Sequence, residues 1–517
     1  MPWQLFASIA VFLVTLYGFS KRNKVRYPPG PRGIPILGNL FQLDTKKSFE
    51  TFAKWKNIYG PIIYVNVAGQ PIVVLGSRKV AIEILEHRAS KSADRPRLIV
   101  AEESTGDMNV GFMHHGDRWR RMRHAADYAL GYKNSSKYHA TQAAESTILA
   151  HGLLANSDKW VSQLERTTSS VMLSMVYDLP PILSLDTPAV VFMNTFIECI
   201  ARVGVPGAYL VDSLPMLENL PRWLSKWKRD AEQEFKKFTL KFEVMFTAIK
   251  DKVATGHEQR PSFCVSLSEN QSRNRLSDRE CAWLAGTLYG AGQETCHDVV
   301  YLRHDIASRS PATCSGRIGQ SCGRSRLPSF SDAQQLPYIR AMVKEILRWR
   351  PSTPAGLPHI LSEDDYYEGY FIPKGTIYIS NIWSINHDPD VWGADADDFR
   401  PERHLDEHGN LKEPGSEAHG HFAFGFGHRI CAGRHVTNNS LFINMATLLW
   451  TMRLEPSKDE HGNLLKPDAN SKVMNGFVMR PPPFKFNTIP RFQDAEALIQ
   501  QARDEVMVEV NARPVVL

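Results

Sequence analysis

The stretch "FGFGHRICAGRH" (residues 424–435) places a single cysteine among glycines and arginines. Cys431 follows Gly425 and Gly427, and Arg429 precedes it by two residues. The run that follows has apolar residues at helical spacing, so Cys431 is predicted to lie at or near a helix N-terminus. Free N–H groups and the positive end of the helix dipole favour a thiolate there. The pattern therefore indicates a cysteine that binds a metal.

The residues around this cysteine suit a flat cofactor with carboxylates. Glycines let the backbone approach such a cofactor closely, and the Arg429 guanidinium can pair with a carboxylate. These requirements match haem, which carries propionates. Two alternatives stay open on these residues alone: a zinc site made by His428, Cys431 and His435 with His421 nearby, or a buried structural cysteine.

The segment "FGFGHRICAG" also fits the signature Phe-x-x-Gly-x-Arg-x-Cys-x-Gly at every position. In this the chain resembles the cytochrome P450 family. The resemblance implies haem b with an axial thiolate from Cys431, which promotes O–O cleavage. It further implies that Phe424 packs by the sulfur, that Arg429 holds a propionate and that Gly433 belongs to the cofactor site.

Two further segments carry the same resemblance. In "KEILRWRP" (344–351), Glu345 and Arg348 are three residues apart on a predicted helix, a spacing that alone is typical of an exposed ion pair. The resemblance implies instead an inward-facing pair that meets Arg403 of "FRPERHLD" and braces the fold beneath the haem. "WRRMR" places Trp119 and Arg123 on one helix face, where the family has propionate contacts.

The segment "LYGAGQETC" (288–296) puts Ala291 and Gly292 within a predicted helix. Small residues there serve either close helix packing or a groove, since glycine costs about 1 kcal/mol relative to alanine in a helix. The resemblance implies an oxygen-binding groove, with Glu294 and Thr295 as the catalytic proton donors. His359, in "LPHIL", is a further propionate candidate.

Composition limits the class of protein. The chain has 517 residues, 43% hydrophobic and 22% charged, with a net charge of +6 and no uninterrupted basic run, so nucleic acid is not an expected partner. Its seven cysteines are odd in number and form no CxxC pair, which favours a reducing compartment.

Residues 1–20 contain no charged side chain, and twenty helical residues span about 30 Å, the thickness of the bilayer's hydrocarbon core. Positive charges follow this stretch and do not precede it, which indicates an anchor and not a cleaved signal. By the positive-inside rule the rest of the chain faces the cytosol. We therefore expect a single-pass protein of the endoplasmic reticulum membrane.

The rest of the chain is predicted to be mainly α with a small β portion, a cytochrome P450-like haem-thiolate fold preceded by the transmembrane helix. Residues 21–39 are a basic, proline-rich connector, and 40–517 form the haem-thiolate monooxygenase domain. Within 61–77, two β-branched runs around a glycine predict a hairpin. The segment 297–326 lacks an apolar stripe where the family has helix, which indicates a gene-model error or a real divergence.

The expected activity is insertion of one atom of O2 into an apolar small molecule, such as a fungal terpenoid or polyketide, with electrons from an NADPH-dependent reductase. The cationic residues Arg120, Arg121, Arg123 and Arg434 suit an acidic electron donor. An inactive haem-binding relative is the alternative, because 297–326 is atypical. A zinc-stabilised, membrane-tethered binding protein is a more remote alternative.

Overall fold

A computed structural model describes residues 26–44, 47–257, 259–295, 323–412, 420–465 and 471–511, without the side chains of residues 294, 295 and 509–511. The predicted anchor at 1–20 and most of the atypical segment 297–326 lie outside these ranges. Among the described residues, no helix is both long and apolar enough to cross a membrane.

Helices make up most of the described chain. They are α1 (Ser48–Tyr59), α2 (Arg78–Ile82), α3 (Ala89–Ser92), α4 (Ile99–Thr105), α5 (Asp117–Leu130), α6 (Tyr132–Ser135), α7 (His139–Ala155), α8 (Trp160–Tyr177), α9 (Pro188–Val203), α10 (Leu210–Ser213), α11 (Lys226–Ala254), α12 (Phe263–Glu269), α13 (Gln271–Asn274), α14 (Asp278–Thr295), α15 (Pro337–Trp349), α16 (Ile382–Asn386), α17 (Pro389–Trp392), α18 (Arg434–Thr451) and α19 (Ala495–Asn511).

The strands are short and form small sheets. They are β1 (Ile62–Val67), β2 (Gln70–Leu75), β3 (His359–Ile360), β4 (Asp365–Tyr367), β5 (Tyr370–Ile372), β6 (Ile377–Ser380), β7 (Met452–Pro456), β8 (Val473–Asn475), β9 (Val478–Arg480) and β10 (Phe486–Pro490). The largest sheet has the order β1-β2-β6-β3, and the pairs β4-β5, β7-β10 and β8-β9 are two-stranded. The predicted mainly helical architecture with a small β portion is confirmed.

The hairpin predicted within 61–77 is the antiparallel pair β1-β2, in which Ile62 lies opposite Leu75. Its two-residue turn has positive φ at both Ala68 (49°) and Gly69 (95°), as the tightest hairpin turns require. β2 continues the sheet by pairing in parallel with β6, more than 300 residues later in the chain.

Aromatic side chains lock α9, α11 and α14 together. The Phe196 ring lies 5.0 Å from the Phe242 ring, which in turn lies 5.3 Å from the Trp283 ring, and both contacts are edge-to-face. The Trp283 indole N–H donates to Thr239 Oγ1 at 2.9 Å, so burial leaves this polar group satisfied. This cluster fixes α14, which borders the main cavity, defined as the one that Cys431 also lines.

The described part of the chain ends in the helix α19. In α19, Ala495 and Ile499 are fully buried, and Gln500 Oε1 lies 2.5 Å from His151 Nε2 of α7. Since α7 also packs against α18, the terminal helix supports the element that follows the cysteine loop.

Candidate active site

The loop before Cys431 is fixed by its own backbone. The Cys431 N–H donates to the Phe424 carbonyl at 2.8 Å, which folds the loop back on itself. Gly425 (φ 76°) and Gly427 (φ 54°) occupy the left-handed region that favours glycine. At Gly427 a Cβ would stand 2.1 Å from the Leu85 carbonyl oxygen, so only glycine fits.

The Cys431 thiol borders the main cavity, and α18 begins three residues later at Arg434. Burial raises the pKa of this thiol; the Gly433 N–H, Arg123 and Arg434 oppose that rise without cancelling it. The Gly433 N–H acts in the direction that the sequence predicted for a helix N-terminus, although burial outweighs it in the free thiol. A metal cation lowers the pKa of a coordinating thiol and shifts it to the thiolate.

The same cavity is bordered by α14 and by several separate elements. Ala291 and Gly292 lie on its wall together with Phe424, Gly433 and Cys431. A Cβ at Gly292 would come within 2.3 Å of Met172 Sδ, so Gly292 serves close packing of α14 on α8 while it borders the cavity. Close helix packing and a place on the cavity wall, the alternatives that the sequence offered for this glycine, are therefore compatible.

The side chains of Glu294 and Thr295 lie outside the described part of the chain, although their backbone continues α14. Their role as proton donors stays a prediction.

Arg429 and Trp119 stack on one another. The Arg429 guanidinium carbon lies 4.2 Å from the Trp119 ring centre, and the Trp119 indole N–H donates to Val110 O at 3.2 Å. The Arg429 guanidinium donates to the carbonyls of Ala93 (2.7 Å) and Met113 (2.9 Å). Thus the arginine is held by neutral acceptors and keeps its full positive charge for a further partner.

Arg123 and His359 also border the cavity. Arg123 Nε donates to Asp127 at 2.8 Å, and another of its N–H groups donates to the Ile430 carbonyl beside Cys431. His359 is buried, with Nδ1 2.8 Å from the Ser92 carbonyl, and burial holds its pKa well below the usual range. A neutral His359 is therefore not a cation: its one N–H, on Nδ1, donates to the Ser92 carbonyl, and its Nε2 is a hydrogen-bond acceptor.

Arg95 completes this group, and the sequence analysis missed it. The residue is 5% exposed, and its guanidinium donates to the carbonyls of Gly111, Leu357 and Pro358. Burial, followed by the nearby Arg429 charge, lowers its pKa well below the ordinary value. Arg95 in "SADRPR" lies 334 residues before Arg429 and carries no local signal; only the tertiary fold brings the two together.

These cations test whether haem fits the cavity. Within the described ranges, no carboxylate forms an ion pair with Arg95 or Arg429, although both are buried. Buried charges in proteins are normally paired, so the cavity suits a ligand that brings carboxylates of its own. A thiol at the wall, close-packed glycines and two buried cations fit a propionate-bearing haem.

Glu345 is the centre of a buried ionic cluster. Arg348 binds it through both Nε and Nη2 at 2.8 Å, and Arg403 Nε lies 3.0 Å from its Oε1. His404 Nε2 is 2.9 Å from Oε2, and the Arg400 backbone N–H donates to Oε1 at 2.8 Å. Glu345 and Arg348 are both 0% exposed, which excludes the exposed ion pair that their spacing alone favours.

The histidines of the zinc alternative lie against other rings. The His428 ring stacks on His115 at 6.2 Å, and the His435 ring meets Tyr132 at 5.7 Å. In the part of the chain that the structure describes, no three His, Cys, Asp or Glu side chains are grouped to hold a metal ion. Nothing in the geometry supports zinc.

The fold and this site define a helical protein with a cysteine-lined cavity suited to haem. A profile of the cytochrome P450 family matches residues 28–488. The chain is 45% identical to a cytochrome P450 monooxygenase of Armillaria gallica, over 97% of each protein. It is 39% identical to cytochrome P450 monooxygenase 58 of Postia placenta, over 95% of this chain and 94% of the relative. The identity with cytochrome P450 monooxygenase iboC of Amanita muscaria is 34%, over 98% of each.

The chain therefore belongs to the cytochrome P450 family. Membership confirms the expected class of enzyme, a cytochrome P450 monooxygenase, and the expected cofactor, a haem with an axial cysteine thiolate on iron. It also implies a redox partner and a small-molecule substrate.

Proposed function

We propose that this chain is a membrane-anchored haem-thiolate monooxygenase, with Cys431 as the iron ligand, that oxidises an apolar small molecule of fungal secondary metabolism such as a terpenoid or polyketide. The observation that carries the proposal is that one cavity is bordered by the Cys431 thiol, by α14 and by buried cations that have no carboxylate partner among the described residues. When bound, the haem supplies the activation of dioxygen, of which one atom enters the substrate and the other leaves as water.

The chain's own residues hold the cofactor and shape its surroundings. Cys431 would supply the thiolate, and the buried Arg95 and Arg429 guanidinium groups would pair with the propionate carboxylates. Arg123 and His359 border the same region, and Trp119 supports it by stacking on Arg429. Phe424 and Gly433 line the cavity beside the sulfur.

The cavity wall away from the cysteine loop supports an apolar substrate. Most of the side chains that α8, α9 and α14 contribute to it are hydrocarbon or thioether in character, including Met172, Val176, Phe196, Ile197 and Leu288. Such a wall excludes water and binds hydrophobic scaffolds, with few polar groups to orient them. By resemblance, Glu294 and Thr295 hold and move the protons that dioxygen reduction consumes.

Exposed apolar side chains support membrane association. Ile36, within the proposed connector 21–39, is 91% exposed, and Phe41, just after it, is 78% exposed. Met216 and Trp223 are each more than 70% exposed. Large exposed hydrophobic groups of this kind mark interaction surfaces. We place residues 1–20 in the endoplasmic reticulum membrane as a single-pass anchor, with the domain 40–517 in the cytosol.

The electron donor proposed is an NADPH-dependent cytochrome reductase. Arg120 and Arg434 are on the elements that border the cysteine loop, α5 and α18, and each lies at least partly exposed. An acidic flavoprotein would be attracted to such a face by charge complementarity.

The reduced, carbon-monoxide-bound absorption spectrum tests the proposal. A thiolate-type Soret band, followed by substrate oxidation with reductase and NADPH, is the expected result. Cys431→Ala should lose that band, whereas the control Cys281→Ala, a buried free cysteine, should keep it. The band without turnover favours the inactive relative, for which the atypical segment 297–326 is the specific observation. A colourless protein would contradict the proposal.

A further inference from the structure

His114 lies in the loop between α4 and α5 and contacts two carboxylates. Its Nδ1 is 3.1 Å from Asp94 Oδ1, and its Nε2 is 3.3 Å from Glu102 Oε1 of α4. The bonds to Asp94 and Glu102 raise the His114 pKa to about 10, although partial burial acts the other way. The imidazole is therefore a cation at neutral pH and forms an ion pair at each of its two nitrogens.

Asp94 connects this histidine to the cofactor site. The same Asp94 Oδ1 accepts the backbone N–H groups of Arg95 at 2.8 Å and of His115 at 2.7 Å. The Asp94 carbonyl accepts the Ile360 N–H at 3.0 Å, one residue after His359 in β3. The Asp94 residue therefore fixes the backbone that carries Arg95 and ties it to the strand that carries His359.

The Asp94 charge also acts on the buried arginines of the cavity. Burial lowers the pKa of both Arg95 and Arg429, and the Asp94 carboxylate opposes each fall. Burial acts to raise the pKa of Asp94 itself, yet that pKa is about 2 because His114 and two backbone N–H groups bond to the carboxylate. An ionised Asp94 held by His114 therefore favours charged guanidinium groups, which a propionate needs as partners.

The chain of charges continues beyond Glu102 to the segment Pro215–Asn219. Arg97 Nε is 2.9 Å from Glu102 Oε2, and the two Nη groups of Arg97 bind both oxygens of Glu218 at 2.8 and 2.9 Å. Most partly exposed ion pairs contribute little, but bidentate pairs and linked networks are the exceptions. The network therefore braces the Glu102 side of His114, so that the imidazolium is held from both ends.

We propose that His114 is a positioning residue for the cofactor: it holds Asp94, and through Asp94 the backbone of Arg95, where the Arg95 guanidinium meets a haem propionate. The inference rests on the proposed function and deepens it, because it gives a part in haem retention to a partly exposed side chain in the loop outside the cavity wall.

The rate of haem transfer from the ferric holoenzyme to excess apomyoglobin tests this role without turnover. His114→Ala should speed the transfer about two- to fivefold in about 10 mM NaCl, the range that partly exposed ion pairs in a network give. His114→Arg, which keeps a cation with several N–H donors, should restore the slow transfer. The matched control His87→Ala removes a histidine that is bonded to Glu83 within its own helical turn, and it should leave the rate unchanged.

A double-mutant cycle with Arg95→Met separates positioning from general stabilisation. If His114 acts through Arg95, His114→Ala should add nothing to the transfer rate of Arg95→Met, whereas independent effects would multiply. If Arg95→Met does not retain haem, salt takes its place in the test. The wild-type and His114→Ala rates should then converge as NaCl is raised to about 1 M, where the Debye length is about 3 Å.

The proposal is overturned if His114→Ala releases haem at the wild-type rate, if its effect multiplies with that of Arg95→Met, or if the ratio of the two rates is the same at low and high salt. A wild-type protein without any haem spectrum would instead overturn the proposed function. The two failures are therefore distinguishable.

Discussion

Replacing Glu345 by glutamine should destabilise the protein more than the loss of any surface ion pair. The substitution keeps the shape of the side chain but leaves Arg348 and Arg403 buried with no carboxylate between them. In the native protein these contacts lower the Glu345 pKa from 4.5 to about 2, against the upward effect of burial. That fall corresponds to about 3 kcal/mol, at the low end of the ~3–5 kcal/mol that breaking a buried ion pair costs.

The matched control is Glu83→Gln, which removes a partly exposed carboxylate from Arg88 and is expected to cost ~0–1 kcal/mol. The assay is loss of the thiolate Soret band and of helical circular dichroism during heating at equal protein concentration. Since a total stability of ~5–15 kcal/mol is typical, a loss of about 3 kcal/mol should lower the unfolding midpoint markedly or prevent haem retention. Equal midpoints for Glu345→Gln and Glu83→Gln would refute the reasoning.

Three further predictions follow from the same geometry. Gly427→Ala should abolish haem binding because its Cβ would meet the Leu85 carbonyl oxygen at 2.1 Å. Gly425 also has a positive φ but lies in open space, so Gly425→Ala should lower the stability by only ~1–2 kcal/mol. The haem content of the two purified variants checks this, and equal haem retention would contradict the steric argument. Arg95→Met should speed haem transfer to apomyoglobin with the fold intact, and an unchanged transfer rate would remove Arg95 from the site. The stability of the protein should fall in acid because the Glu345 pKa is depressed in the folded state. The stabilisation from the Glu345 carboxylate is fully present above pH 4.5 and disappears as the pH falls through about 2. Denaturation curves of the wild type and of Glu345→Gln should therefore converge at low pH.

Local sequence was sufficient wherever a motif folds on itself. The cysteine loop could be predicted because its glycines and Cys431 lie within ten residues of one another and close through local backbone hydrogen bonds, among them the one from the Cys431 N–H to the Phe424 carbonyl. The β1-β2 hairpin was predictable for the same reason, since its strands are joined by a two-residue turn. Patterns of this kind depend on contacts of short sequence separation, where residue type and spacing decide the geometry.

The ionic cluster around Glu345 could not be predicted from residue spacing alone. The spacing of Glu345 and Arg348 fits an exposed helix face as well as a buried one, and only the resemblance to a family indicated the latter. His404 was not anticipated although it adjoins Arg403, because a histidine after an arginine carries no signal of burial. Its contact with Glu345 arises when the turn Pro401–His404 packs on α15.

By itself the sequence determined the family, the mainly helical architecture and the thiol that faces the haem cavity, because these follow from short motifs and from helical periodicity. Only the tertiary structure decided that Arg95 joins Arg429 and that Gly292 packs on Met172. The physical reason is that burial and charge pairing depend on which distant segments pack together. That packing is a property of the whole folded chain, which no local spacing encodes.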